Sequence, residues 1–152
     1  MVIRVKNKFI IAAFALIFDE NNKILLCHRR DYDLWNLPGG TMELGESPWE
    51  CVVREVKEET GLKVEITRLA GVYNKPDKDE LVFSFVCRAV GGKLTLNEEA
   101  DKIEYFSIKD LPANISQKQV ARIHDALVEK EIVLKNQSGK GSIELIKEGA
   151  GK

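Results

Sequence analysis

Residues Ser47 to Gly61 leave this chain few conformational options, because they spell a helix with both ends marked. The Ser47 hydroxyl can accept hydrogen bonds from the free N–H groups of a first turn. Pro48 suits the first helical position, and Glu50 completes a capping box. Gly61, after Thr60, supplies the residue that most easily adopts the left-handed C-terminal cap. Between these marks Trp49, Val52, Val53 and Val56 recur at helical spacing, which predicts a face packed on a sheet. Glu55, Glu58 and Glu59 stand at i, i+3 and i+4, so their side chains share one edge of the helix. Like charges at that spacing repel, and the C-terminal half of a helix is already negative. A hard divalent cation offsets this cost, and all-oxygen ligands favour Mg²⁺ or Mn²⁺ over zinc. Taken alone, such a run describes a solvated acidic face more often than a metal site.

The residues upstream bear on that choice. Pro38-Gly39-Gly40 allows backbone geometry that side chains forbid, and lets the chain come close to an ion or phosphate. The acidic edge borders the apolar face, which sets the carboxylates beside this glycine loop. The full spacing is Gly40, five residues, Glu46, seven residues, Arg54-Glu55, Val56, one residue, Glu58-Glu59, one residue, Gly61, Leu62. At every fixed position it resembles the Nudix box of the Nudix hydrolase family. Trp35-Asn36-Leu37-Pro38-Gly39-Gly40 is similar to the lead-in to that box.

The resemblance implies an α/β fold, the Nudix α/β/α sandwich with a mixed central sheet and two main helices. It implies Mg²⁺- or Mn²⁺-dependent hydrolysis of the diphosphate linkage in a nucleoside diphosphate joined to another group. Carried over by residue, Glu55, Glu58 and Glu59 become metal ligands, with the Gly40 carbonyl contributing. Arg54 orients the carboxylates through salt bridges, with Glu46 as a partner; a guanidinium that binds carboxylates in a bidentate fork suits this role. The general base falls to Glu58 or Glu59, or to a later-loop glutamate matched by Glu99, with Glu98 as the alternative. A plain polar loop accounts equally well for residues 97–101. Pro76 lies fourteen residues past Leu62, close to where relatives acting on ADP-ribose carry a proline one or two positions later. This favours ADP-ribose or a nucleoside diphosphate sugar as substrate. The alternatives are a housecleaning, MutT-type nucleoside triphosphate pyrophosphohydrolase and a non-catalytic nucleotide-sensing Nudix module, against which the complete set of box carboxylates counts.

Arg29 and Tyr32, near the glycine loop, are substrate-contact candidates with Pro76, and Arg30 accompanies Arg29. A surface charge for the arginines and packing for the aromatics are the plainer accounts. Trp35 is expected to pack under the glycine loop, and Tyr73 and Phe83 to lie in the core. Cys51 shares the wheel face of Glu55 and Glu58 but is expected to pack. His28 and His124 have no ligand spacing and read as surface or strand-end residues.

The remaining chain reads as one domain over 1–135 with a tail over 136–152. A length of 152 residues suits a single core. A formal net charge of −1 gives no basis for nucleic-acid polymers or membranes as partners, leaving a nucleotide-derived small molecule. Three unpaired-looking cysteines, Cys27, Cys51 and Cys87, point to reduced thiols and a cytoplasmic location. Phe9 to Phe18 follows Arg4, Lys6 and Lys8 but lacks a cleavage motif, and reads as a strand buried on both faces rather than a signal peptide. Asp19 to Lys23 predicts a hairpin turn into a returning strand, Lys23 to His28. Strands are expected over Leu62–Tyr73, Leu81–Val90, Lys93–Leu96 and Ile103–Phe106, with Gly91-Gly92 as a tight turn. The second helix is expected over Gln117–Glu131 with Val120, Ile123 and Leu127 inward. From Ile132 onward, Ile132–Leu134 and Ile143–Ile146 are read as strands that pair with each other or across a homodimer. The last few residues are expected to be disordered.

Overall fold

The computed structural model describes residues 8–150. Arg4 and Lys6 of the N-terminal flank, and residues 151 and 152 of the tail, lie outside the described residues. The elements in chain order are β1 (Ile10–Ile17), β2 (Ile24–Arg29), β3 (Trp35–Asn36), β4 (Gly39–Thr41), α1 (Pro48–Thr60), β5 (Leu62–Lys75), β6 (Glu80–Gly92), β7 (Ala100–Phe106), α2 (Gln117–Val128), β8 (Val133–Asn136) and α3 (Ser142–Ala150). A mixed five-stranded sheet runs β4-β1-β6-β5-β8, and a three-stranded antiparallel sheet runs β3-β2-β7. β1 pairs in parallel with β6 and antiparallel with β4.

Among the described residues three apolar clusters form the core, two large and one small around Tyr73 and Val82. Val52, Val56 and Cys51 of α1 pack on Ala13, Ala15 and Ile17 of β1 and on Phe85 of β6. Ile123 and Ala126 of α2 join Leu16, Ile24, Leu26, Trp35 and Leu37 in the second. β2 serves both of these, because successive side chains of a strand point to opposite faces: Leu25 belongs to the first cluster, Ile24 and Leu26 to the second. The result is the mixed α/β sandwich expected, with a third helix added. Trp35, Tyr73 and all three cysteines are buried, the cysteines as free thiols.

Several local expectations are corrected. Asp19 to Lys23 does turn the chain, with Asn22 in the left-handed region at φ 59°. Yet β1 and β2 part into different sheets beyond a single bridge, Phe18 to Ile24, because β2 finds its partners in β3 and β7. Gly91 and Gly92 extend β6 opposite Lys63 and Leu62 instead of turning. Residues 93–96 form no strand; they cross the end of α1, where the Thr95 N–H donates to the Thr60 carbonyl at 2.9 Å. Trp49, in the first turn of α1, is 58% exposed along an outer groove with Val53, Val64 and Ile66 instead of packing on the sheet. α2 stops at Val128; Ile123 and Val120 pack on the core as expected, but Leu127 is exposed, and Gln119, Arg122 and Ala126 are buried beside them. From Ile132 onward, β8 pairs in parallel with β5, and Ile143–Ile146 belongs to a helix.

Candidate active site

The capped ends of α1 fix where its carboxylates stand. Ser47 accepts from the Glu50 N–H while the Glu50 side chain accepts from the Ser47 N–H, and Gly61 closes the helix at φ 80°. Against the acidic edge lies β4. A side-chain carbon on Gly39 would sit 2.3 Å from the Ala13 carbonyl oxygen, and one on Gly40 would sit 2.7 Å from the Glu55 carboxylate. Gly39 therefore has to be glycine for its backbone contact with β1, while a side chain at Gly40 would push the Glu55 carboxylate aside.

Arg54 ties this edge together. Its Nε and Nη2 donate to the two oxygens of Glu46, each at 2.8 Å. Nη1 donates to Glu55 at 3.0 Å and to Glu58 at 3.1 Å, and Nη2 also reaches the Thr41 carbonyl at 3.3 Å. The Arg54 guanidinium, with the Glu43 N–H, holds the Glu46 carboxyl down to about 2. Glu59 is opposite in character. Burial, followed by the hydrogen bond and charge of Glu55, pushes its carboxyl well above the usual carboxylate range, and only the Gly39 N–H, 3.3 Å away, favours its charged form. Glu58 stands one turn along the same edge, mostly exposed, outside the cleft and tied to Arg54.

A cleft of about 670 Å³ is lined by Glu55 and Glu59 with Gly39 and Gly40, by Glu98 and Glu99, and by Arg29 and Arg30. The 98–99 loop is anchored by Asn97. Its side-chain amide donates to the Glu59 carbonyl, while its oxygen accepts from the Glu99 and Ala100 N–H groups at 2.9 and 3.0 Å. Arg30 Nε reaches the Asn97 carbonyl at 2.8 Å. A pair of carboxylates pressed together at the back of a cleft needs either a shared proton or a cation, and a hard divalent ion suits oxygen donors of this kind. Among the described residues no three His, Cys, Asp or Glu side chains already converge as a ligand cluster. The donors that fit such an ion are Glu55, Glu59 and the Gly40 carbonyl, with Glu58 adjacent.

The other candidates divide. Arg29 lines the cleft but is held in a bidentate pair with Asp31 at 2.7 and 2.6 Å, and lies 5.7 Å from the Tyr32 ring. Tyr32 and Pro76 do not line the cleft. Cys51 is fully buried and burial pushes its thiol up to about 12, so it packs and does not attack. His28 stands at the end of β2, one of the two places expected for it, but is buried at the cleft and not on the surface, with Nδ1 2.6 Å from Asp101 and Nε2 2.8 Å from Asp33. Those two acids lie 73 and 5 residues away in sequence, a separation that hides the cluster. Asn97 was also missed, although an asparagine before an acidic pair is a turn signal.

The sandwich, the glycine strand and the acid-lined cleft together define a Nudix domain. The family model described as the NUDIX domain matches residues 8–128, and the chain belongs to the Nudix hydrolase family. An ADP-ribose pyrophosphatase of Methanocaldococcus jannaschii is 40% identical over 103 residues, covering 63% of this chain and 61% of that protein. A Bacillus subtilis protein provisionally named 8-oxo-dGTP diphosphatase is 31% identical over 144 residues, covering 92% of this chain and 97% of its own. The crystal structure of an ADP-ribose pyrophosphatase from Streptococcus suis superposes with a TM-score of 0.69 at 32% identity, covering 86% of this chain and all of that one. No helix among the described residues is long and apolar enough to cross a membrane.

Proposed function

We propose that this chain hydrolyses the diphosphate linkage of ADP-ribose or a related nucleoside diphosphate sugar, with Mg²⁺ or Mn²⁺ as cofactor. The observation that carries the reading is the Glu55–Glu59 pair beside Gly40, lining one cleft together with Arg29 and Arg30. The two relatives named as ADP-ribose pyrophosphatases support the substrate class.

Glu55, Glu58, Glu59 and the Gly40 carbonyl would hold the cation. When bound, it supplies charge neutralisation for the diphosphate oxygens and acidifies the attacking water. Arg29 and Arg30, in the lining of the same cleft, draw the phosphates. Glu99, held in that lining by Asn97, takes the proton from the water as it attacks, with Glu98 next to it. Arg54 keeps Glu55 and Glu58 in register and acts through them. A second reading, a nucleoside triphosphate pyrophosphohydrolase, draws on the Bacillus subtilis relative, which matches nearly the whole chain. The hydrolase domain on this reading is residues 1–135 and the appendage 136–152; the family match ending at residue 128 supports that division.

The test is a panel of nucleoside diphosphate derivatives and triphosphates with Mg²⁺ or Mn²⁺, with products identified. AMP and ribose 5-phosphate from ADP-ribose support the first reading; a nucleoside monophosphate and pyrophosphate from a triphosphate support the second. No product from any compound sinks both. Chelation by EDTA should abolish turnover, and activity that persists in EDTA removes the cation from the mechanism.

A further inference from the structure

A cavity of opposite character shares Arg29 with the acid-lined cleft. It is small, about 190 Å³, and sits between the end of β5, the start of α2 and the turn into α3. Arg122 lies in its wall, only 2% exposed. The Arg122 Nε donates to Gln137 at 2.9 Å, and the guanidinium carbon is 5.5 Å from each of the Phe14 and Tyr73 rings. Among the described residues its two terminal nitrogens have no hydrogen-bond partner. A buried guanidinium ordinarily has a carboxylate. Here Glu80 is taken by Lys75 at 3.4 Å, and Asp125 by Lys135 and the Tyr73 hydroxyl. Glu144, the acid in the cavity wall, is held by Lys78 and by the Gly141 N–H.

Other cations crowd the same space. Lys75 and Lys118 line it, and Lys118 spends its ammonium on the Gly139 carbonyl at 2.8 Å. Burial, then the charges of Arg122 and Lys118, lower the Lys75 ammonium, only partly offset by Glu80. Positive charge gathered around an incompletely bonded guanidinium suits an anion with several acceptor oxygens.

We propose that this cavity is a second anion site, taking a phosphate group on the terminal nitrogens of Arg122, with Lys75 and Lys118 supplying the surrounding charge. Its size favours a phosphate group over a whole nucleotide, since pockets for drug-sized ligands begin at roughly 300 Å³. Arg29 lines both this cavity and the cleft. The phosphate therefore arrives either on a separate small molecule or as the end of a ligand that reaches across from the cleft.

Inorganic phosphate titrated into the full chain by calorimetry, in EDTA and at fixed ionic strength, tests this without turnover, so it stands or falls apart from the hydrolase reading. Saturable binding is expected in wild type. Lys75→Met and Lys118→Met should each weaken it roughly tenfold, as expected for one charged contact. Arg122→Gln should abolish it, and if that variant does not fold the two lysine variants carry the test. Adenosine 3′,5′-bisphosphate compared with AMP separates the sources. A tighter bisphosphate whose advantage vanishes in Lys118→Met supports a ligand spanning from the cleft; equal affinities beside phosphate binding support a separate phosphate. Phosphate that binds no better than chloride, or equally well in wild type and both lysine variants, overturns the site.

Discussion

Helices α1 and α2 flank the core, and each buries charge against it in an opposite way. On α1 the arginine is saturated: Arg54 gives its donors to Glu46, Glu55 and Glu58, while Glu59 is left in the cleft with its charged form disfavoured. On α2 the arginine is unsaturated, and burial lowers Arg122 to about 10, only partly offset by Tyr73 and Glu80. Burial penalises charge of either sign. One helix therefore presents an uncompensated acid that suits a cation, and the other an uncompensated base that suits an anion.

The largest effect should come from the acid. Glu59→Gln is expected to lower kcat by roughly 10²–10⁴-fold, corresponding to the several kcal/mol that a correctly held cation supplies. Circular dichroism should be unchanged, and phosphate binding beside Arg122 should persist. Loss of both functions together would break the division between the two helices. Arg54→Gln should cost roughly 10–100-fold in activity, as expected when a residue that orients metal ligands is removed. Its effect should shrink at high divalent-ion concentration, because the damage lies in how Glu55 and Glu58 are held. A kcat loss independent of the cation would instead place Arg54 on the substrate.

Smaller effects separate the two helix starts. Ser47 closes a full capping box, whereas Ser116, at the start of α2, makes no side-chain cap hydrogen bond. Ser47→Ala should destabilise the fold by about 1 kcal/mol in urea unfolding, and Ser116→Ala by much less. Equal losses would mean that the caps do not distinguish the helices. The smallest effect is one of pH. The hydrogen bond to Asp33, and the further bond and charge of Asp101, raise the His28 imidazole above its ordinary value against the opposing effect of burial. A raised folded-state value means the protonated ring stabilises the fold. That contribution is complete below the unfolded histidine value of about 6.5 and is lost as pH rises through the higher folded value. The stability gap between wild type and His28→Gln should therefore narrow as pH rises above neutrality; a constant gap would show that His28 acts by packing alone.

How much of this was legible follows the range of the interactions. The α1 boundaries, its capping box, the place of Gly40 beside the acids and the Arg54–Glu46 pairing were readable because their partners lie within about one or two helical turns or in one fixed motif. The α2 face was legible only in part: Val120 and Ile123 pack as their spacing predicts, but Leu127 stays outside while Ala126, Gln119 and Arg122 are buried. Gln119 instead turns inward, where its side-chain oxygen accepts from the Leu37 N–H at 2.6 Å, 82 residues away. The segment 93–96 looked like a strand by composition, but the end of α1 gives Thr95 a hydrogen-bond partner and no neighbouring strand does.

The sequence by itself determined the family, the helix that carries the acids and the chemistry those acids suit, since capping, helical periodicity and motif spacing are local properties of the chain. Only the tertiary structure decided that β1 and β2 part into two sheets, that His28 sits between Asp33 and Asp101, and that Arg122 is buried without a carboxylate. Each of these depends on groups far apart in sequence meeting in space. Whether a charge is satisfied is settled by which neighbours the packing leaves it.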